Sequence, residues 1–472
     1  MVLISQFSWW GSAKHKTYTV IIFVILSSLD NAATGIFPPL YGVIAQEMGI
    51  TEAALGFVTA IRILVSALSA VMWGYFGDRG QRKRLLLYGT LIWSGALYFS
   101  GGASTYFSLF TSQLVVAIGL GCVSSVGFSL AGDFIPPERR GLVLSLWSLA
   151  QGIGFGIGTA ISSTIGTLDW RLPFWLIASA GLVSLLLYVF SYEPARGQTQ
   201  PELKAVFESG QTYTYRVQWS DLKQIVQIRS NGWLIGQTFF STLNFGAFIW
   251  LPRFMIAKVE AVGYSLETAT TAGSMLFFLF QMGVYLAIPA GYFGDRVQKR
   301  DLRGRAIIGT IGNFCAVPFH IAFFLIPLWG LVLPEQSGLI VLIWASISSM
   351  FTNGWVALTF VLALAATILG VIDNPNKAAL IKDINLPEHR GTFVGLLQIA
   401  GGIGLSIGNA LAGVAFTQLS QQVAPPWNYA VTLSLFQLLM LPAGYCFYRL
   451  IKTTPQDIIT VRQTLAHRGQ VR

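Results

Sequence analysis

Asp30, Arg62, Asp373 and Lys377 each interrupt a long apolar stretch of the sequence. An ionisable group at bilayer depth costs a few kcal/mol or more, so such residues face a bundle interior or a water-filled cavity and mark an ion or solute path. Asp30 lies 13 residues into its stretch, roughly 20 Å from one edge at 1.5 Å per residue. Arg62 lies 12 residues before Gly74, about 18 Å deep on the next stretch. Consecutive antiparallel helices put both charges at one depth, which predicts an Asp30–Arg62 ion pair, either coupling protons or purely structural. Asp373 and Lys377 lie about 15 and 9 Å from Asp383 and bracket Asn374-Pro375-Asn376. Proline removes a backbone donor and kinks a helix, and Asn374-Pro375 fits an N-cap and a first turn. A helix broken there exposes its N-terminus beside Lys377 and suits a phosphate or carboxylate. The alternative is an Asp373–Lys377 pair neutralised inside a packed kink.

The elements that carry these charges are membrane spans. The 472 residues are 54% hydrophobic and 11% charged, against about 25% charged in soluble domains. Twelve stretches approach the roughly 20 apolar residues that a crossing helix needs: 17–40, 53–76, 84–105, 106–131, 141–165, 171–192, 231–256, 266–294, 304–330, 338–381, 391–417 and 426–450. Lipid offers the backbone no hydrogen bonds, so each is expected to be helical. The net charge of +10 suggests nucleic acid until the charges are placed. With both termini cytosolic, 25 of the 30 Lys and Arg fall on that side, Arg171, Arg253 and Lys258 fall outside, and Arg62 and Lys377 fall within spans. This asymmetry is the positive-inside rule, and nucleic-acid binding is not expected. Cys122, Cys315 and Cys446 lie within spans without metal-ligand spacing, and His15, His320, His389 and His467 are scattered. No metal, cofactor or disulfide is expected, and no catalytic cluster points to an enzyme. No signal-peptide pattern precedes the first span, whose apolar run is too long for one.

The polar stretch 193–230 divides the chain into halves, 1–192 and 231–472, and these repeat each other. GYFGDR stands at 74–79 and again at 291–296. DFIPPERRG at 133–141 and DINLPEHRG at 383–391 share D-x3-P-E-x-R-G; GIGFGIG at 152–158 parallels GIGLSIG at 402–408. Leu29-Asp30 precedes Pro38 as Leu243-Asn244 precedes Pro252. The expected fold is therefore all-α, with twelve transmembrane helices in two pseudo-symmetric six-helix bundles. The first motif repeats at 217 residues and the second at 250, leaving 33 additional residues between them in the second half. Both motifs are basic and should share a membrane side, so an even number of spans separates them. Extended ninth and tenth helices, bent near Pro334, are expected.

GYFGDRGQRKR at 74–84 and its copy at 291–305 resemble the loop signature of the major facilitator superfamily. Asp30, AIGLGCVSSVGFSLAGDF at 117–134, Asp169-Trp170 and P-E-x-R-G after the tenth span make the chain most similar to the spinster-like group. That group typically has Arg and then Glu in the fourth helix, where this chain has Gln113 and Leu120, so of its acid and base only Asp30 carries over. The resemblance implies a cavity lined by the first, fourth, seventh and tenth helices. Asn31, Ser124, Ser125, Asn244, Asn374 and Asn376 then read as solute contacts or as hydrogen bonds between helices. Glycines of GYFG let helices approach closely, and Asp78 at a helix end can bond a facing N-terminus and pair with Arg79 or Arg140. Asp295 and Arg296 repeat this in the second half, with Asp133, Arg140, Asp383 and Arg390 as loop partners, forming a cytosolic gate. The alternative is that these residues fix topology and cap helices.

No nucleotide-binding loop occurs. The expected function is secondary transport, by alternating access, of a small amphipathic or anionic solute such as a lysolipid, coupled to protons through Asp30. A proton-driven drug or metabolite exporter is the alternative, and a non-transporting sensor of the same fold a third. Expected partners are membrane lipid, the solute and protons, for a monomer in the inner cell membrane.

Overall fold

The computed structural model describes residues 13–79, 81–127, 130, 140–193, 219–286, 288–334, 339–386 and 389–470. Among these every regular element is helical. Nine helices are long and apolar enough to cross a membrane, and Leu266–Phe280 and Ile340–Thr352 are shorter apolar helices. Local sequence sets their starts. Thr105 and Ser108 form a reciprocal capping box before Tyr106–Cys122, Ser265 caps Leu266–Phe280, and the Asn353 side chain accepts from Trp355 and Val356 at the start of Gly354–Val371. Such caps bond the amide groups that a first helical turn leaves open.

The chain forms two compact units, one of Met1–Ile50 with Ile61–Tyr215, the other of Thr51–Ala60 with Arg216–Arg472. In the first, the helix Arg140–Thr164 lies against Ala13–Gly35. A Cβ at Gly154 would sit 2.0 Å from the Ser28 carbonyl oxygen, and one at Gly158 would sit 2.1 Å from that of Ala32. In the second, Arg390–Leu419 meets Arg229–Phe248 in the same way. There a Cβ at Gly408 would sit 2.0 Å from the Leu243 carbonyl oxygen, and one at Gly404 2.6 Å from that of Phe239. The repeated GIGFGIG and GIGLSIG thus encode one contact made twice. Lipid tails give apolar helices no reason to leave them, so close backbone packing on small residues holds such pairs.

The additional length of the second half does not extend two helices. Residues 304–325 form one helix, and Leu339–Thr352 is a separate helix that packs on Leu266–Phe280 and Gly354–Val371. Its 14 described residues reach about 21 Å. The break falls at the Asn353 cap, and Pro334 lies in the connection after Leu325 rather than at a bend.

Valine at Gly158 or Gly408 must push the paired backbones apart. Each substitution is expected to cost about 1–3 kcal/mol and to lower the melting temperature of the detergent-solubilised protein. An unchanged melting temperature in both variants would contradict the shared packing role.

Candidate functional site

In the first unit, Asp30 and Arg62 are 6% and 3% exposed, yet they do not make the predicted ion pair. Asn31 donates its Nδ2 to Asp30 Oδ1 at 2.7 Å and to the Ser27 carbonyl at 3.1 Å. Arg62 reaches across to the 106–122 helix, where its Nη1 donates to Gln113 Oε1 at 3.2 Å, and its guanidinium lies 5.9 Å from the Phe37 ring centre. Gln113 in turn donates to Ser100 Oγ at 3.0 Å, and Ser100 donates to Ser112. Equal depth did not bring the two charges together because the arginine turns to the amide of another helix. No ion pair cancels Arg62 among the described residues.

The second unit joins Asp373 and Lys377 indirectly. Asp373 is 4% exposed, and its Oδ2 accepts from Gln237 Nε2 at 2.9 Å and Asn313 Nδ2 at 3.1 Å. Half-buried Lys377 donates to Gln237 Oε1 at 3.2 Å. The expected N-cap is absent. Ile372, between Gly354–Val371 and Asp373–Ile384, keeps helical dihedrals (φ −61°, ψ −25°), so the break is a kink without a free helix end. Asn374 is exposed, and Asn376 donates to the Ile372 carbonyl at 2.9 Å. Pro375 falls in the first turn of the new helix, where a missing N–H is cheapest.

The other predicted polar residues are dispersed. Ser124 and half-buried Ser125 sit in a π-helical turn, Val123–Gly127, a form of helix that recurs at functional sites. Ser124 donates to the Gly121 carbonyl at 3.0 Å. Asn244 is buried with its Oδ1 unbonded. Glycines of both GYFG copies meet these segments. A Cβ at Gly77 would lie 3.1 Å from Val126, and one at Gly294 would clash with the Asn376 amide. Of the gate residues, Arg296 is exposed and Asp383 pairs with Arg305, a partner the motif reading did not name. Asp133 lies outside the described residues, as do the side chains of Asp78, Arg79, Arg140, Asp295 and Arg390.

Sequence reasoning named Gln113 only as a departure from the spinster-like pattern and missed Gln237 and Asn313, which are neutral and gave no charge signal. It also set Arg253 and Lys258 aside as external charges, yet both are buried on the helix Leu251–Glu260. Arg253 bonds Glu52 at 2.9 Å and Glu260 at 2.6 Å, and Tyr429 donates to the other Glu52 oxygen at 2.8 Å. Lys258 donates to the Phe323 and Ile326 carbonyls at 2.9 and 2.7 Å, between the Phe254 and Phe323 rings. It thereby bonds the open carbonyls at the end of Gly304–Leu325. Lys83 does the same for Arg171–Tyr188 through the Val189 and Ser191 carbonyls. Partial burial lowers the Lys83 pKa, and Glu193 opposes that shift. Among the described residues no group of His, Cys, Asp and Glu is arranged to hold a metal.

Residues 21–359 match the Major Facilitator Superfamily, and the chain belongs to that family. The relatives bear out the spinster-like resemblance. Protein spinster homolog 1 of Xenopus tropicalis is 24% identical over 325 residues, 65% of this chain and 60% of that protein. The sphingosine-1-phosphate transporter SPNS2 of Danio rerio is 26% identical over 237 residues, 48% of this chain and 45% of that protein. The chain thus matches between about half and three-fifths of the length of these relatives. The fold is shared with the crystal structure of a bacterial homologue of the human lysosomal transporter Spinster in an inward-facing, unoccupied conformation. That likeness has a TM-score of 0.68 at 18% identity and covers 95% of this chain and 99% of the other.

Replacing Arg253 with Met leaves Glu52 and Glu260 without their cation. A loss of about 3 kcal/mol is expected, read as a fall in melting temperature, and Glu52→Gln with Glu260→Gln should restore part of it.

Proposed function

We propose that the chain is a secondary transporter that carries a small amphipathic or anionic solute across a membrane by alternating access, coupled to protons through Asp30. The bonding of the two mid-span cations carries this reading: Arg62 is bonded to the neutral amide of Gln113, and Lys377 to that of Gln237. An amide satisfies hydrogen bonding without cancelling charge. A positive charge kept at that depth is costly; an anionic group on a solute supplies a counter-charge to Arg62 and competes with nearby Asp373 for Lys377. The name of the Danio rerio relative favours a lysolipid or similar amphiphile, with a phosphate head and an apolar tail.

Further support comes from Asp30, a buried carboxylate bonded to an amide and not to a cation. A carboxylate so bonded is suited to gain and lose a proton as its access to water changes. In this reading the halves 1–192 and 231–472 move about the linker 193–230. The lysine- and arginine-rich ends and both termini face the cytosol of the cell membrane. Asp78, Arg79, Asp133, Arg140, Asp295, Arg296, Asp383 and Arg390 gate that side, and Asn31, Ser124, Ser125, Asn244, Asn374 and Asn376 offer polar contacts along the solute path.

In proteoliposomes, Asp30→Asn is expected to exchange solute while losing accumulation driven by a proton gradient. Undiminished uphill transport would remove Asp30 from the coupling role. Competition by unlabelled drugs, but not by a lysophospholipid, against the transported label would favour the exporter alternative.

A further inference from the structure

Asp373 and Lys377 stand one turn apart on a helix, the spacing at which an acid and a base ordinarily pair directly. Here they do not. Gln237, from the helix Arg229–Phe248, lies between them and uses both ends of its amide: Nε2 to Asp373 Oδ2 at 2.9 Å and Oε1 to Lys377 Nζ at 3.2 Å. Asn313 places a second donor on the same carboxylate oxygen. The carboxylate is thus bonded by two amides from two other helices, and the ammonium gives one of its three donors to an amide oxygen.

In a poorly solvated helix bundle, direct contact between opposite charges outweighs an ammonium–amide hydrogen bond. Without the bridge, the flexible lysine stem would let Nζ close onto Asp373, one turn away, and the two charges would cancel. The amide prevents this while adding no charge of its own. Leucine or methionine there would fill the space without bonding either group, and glutamate would cancel the lysine itself.

We infer that Gln237 is a specificity-determining positioning residue: by holding Asp373 apart from Lys377, it keeps the lysine charge available for the anionic head of the solute. This rests on the anionic-solute reading above and deepens it. The side chain touches neither solute nor proton in this role; it acts through Lys377.

The test is equilibrium binding to the full chain in nanodiscs, with a fluorescent lysophosphatidate as the anionic probe and a monoacylglycerol of the same chain length as the neutral one. Wild type should prefer the anion, and Lys377→Met should lose that preference. Gln237→Met should weaken anion binding roughly tenfold, as expected for loss of one charge-assisted hydrogen bond, and leave neutral binding unchanged. Adding Asp373→Asn to Gln237→Met should restore anion binding, because no carboxylate remains to capture Lys377. Gln237→Glu keeps the shape of the side chain and should also lose the anion preference. Retained preference in Gln237→Met or Gln237→Glu, or no rescue in the double variant, would overturn the role of Gln237 while leaving the anion site at Lys377 intact. Equal binding of both probes by wild type, or an unaffected Lys377→Met, would defeat the anionic-solute reading, and this inference with it.

Discussion

A charge held away from water must be bonded by the protein itself, and this requirement organises the surroundings of the ionisable side chains. Three solutions recur. Near helix ends, opposite charges meet: Arg171 with Glu47, Arg253 with Glu52 and Glu260, and Arg305 with Asp383. At two helix C-termini a lysine bonds the last carbonyls, Lys83 at one and Lys258 at the other. In the middle of the spans the partners are amides: Asn31 for Asp30, Gln113 for Arg62, and Gln237 for both Asp373 and Lys377. The first solution cancels charge, the second sets it against the negative end of a helix dipole, and the third preserves it. Preserved charge is the expensive choice in a bilayer, and it occurs where the spans carry their deepest ionisable groups.

The division between what the sequence reveals and what it hides follows from the same physics. The all-helical, multi-span character of the chain was legible because apolar length is a long-range signal that no single residue can spoil. The glycine contacts were legible in kind: GYFG and the GIG repeats announced close approach, and Gly77, Gly158 and Gly408 make it. The pairing of charges was not. Depth along a helix follows from residue count, but the facing direction of a long side chain depends on which neighbour offers a bond, and Arg62 found Gln113 rather than Asp30. Amides are silent in any search for charge, so Gln237 and Asn313 were unmarked, and Gln113 was marked only as the residue standing where the resemblance leads to an arginine. Arg253 and Lys258 were placed outside by topology, which says nothing of burial, and the helix that runs on to Glu260 buries both.

The short helix Leu339–Thr352 shows a limit of parity reasoning. Two basic motifs on one side of the membrane require an even number of crossings. Parity says nothing of how many helices fill that interval, and Leu339–Thr352 is set off from Gly354–Val371 by the Asn353 N-cap.

Duplication also shows where the halves have diverged. Gly77 and Gly294 are 217 residues apart, and the residues they pack against, Val126 and Asn376, are 250 apart, matching the two motif offsets. The frame is therefore the same in both units, down to an irregular turn in the partner helix: π-helical at Val123–Gly127 and kinked at Ile372. The chemistry placed on it differs. By the offset of 250, Asp373 and Lys377 correspond to Val123 and Gly127, and by the offset of the first and seventh spans Asp30 corresponds to Asn244. One unit holds its acid on the first span, with an arginine on a different helix. The other holds acid and base together beside the kink. A repeated frame gives each half the same ability to pack, while the charges set on that frame differ from one half to the other.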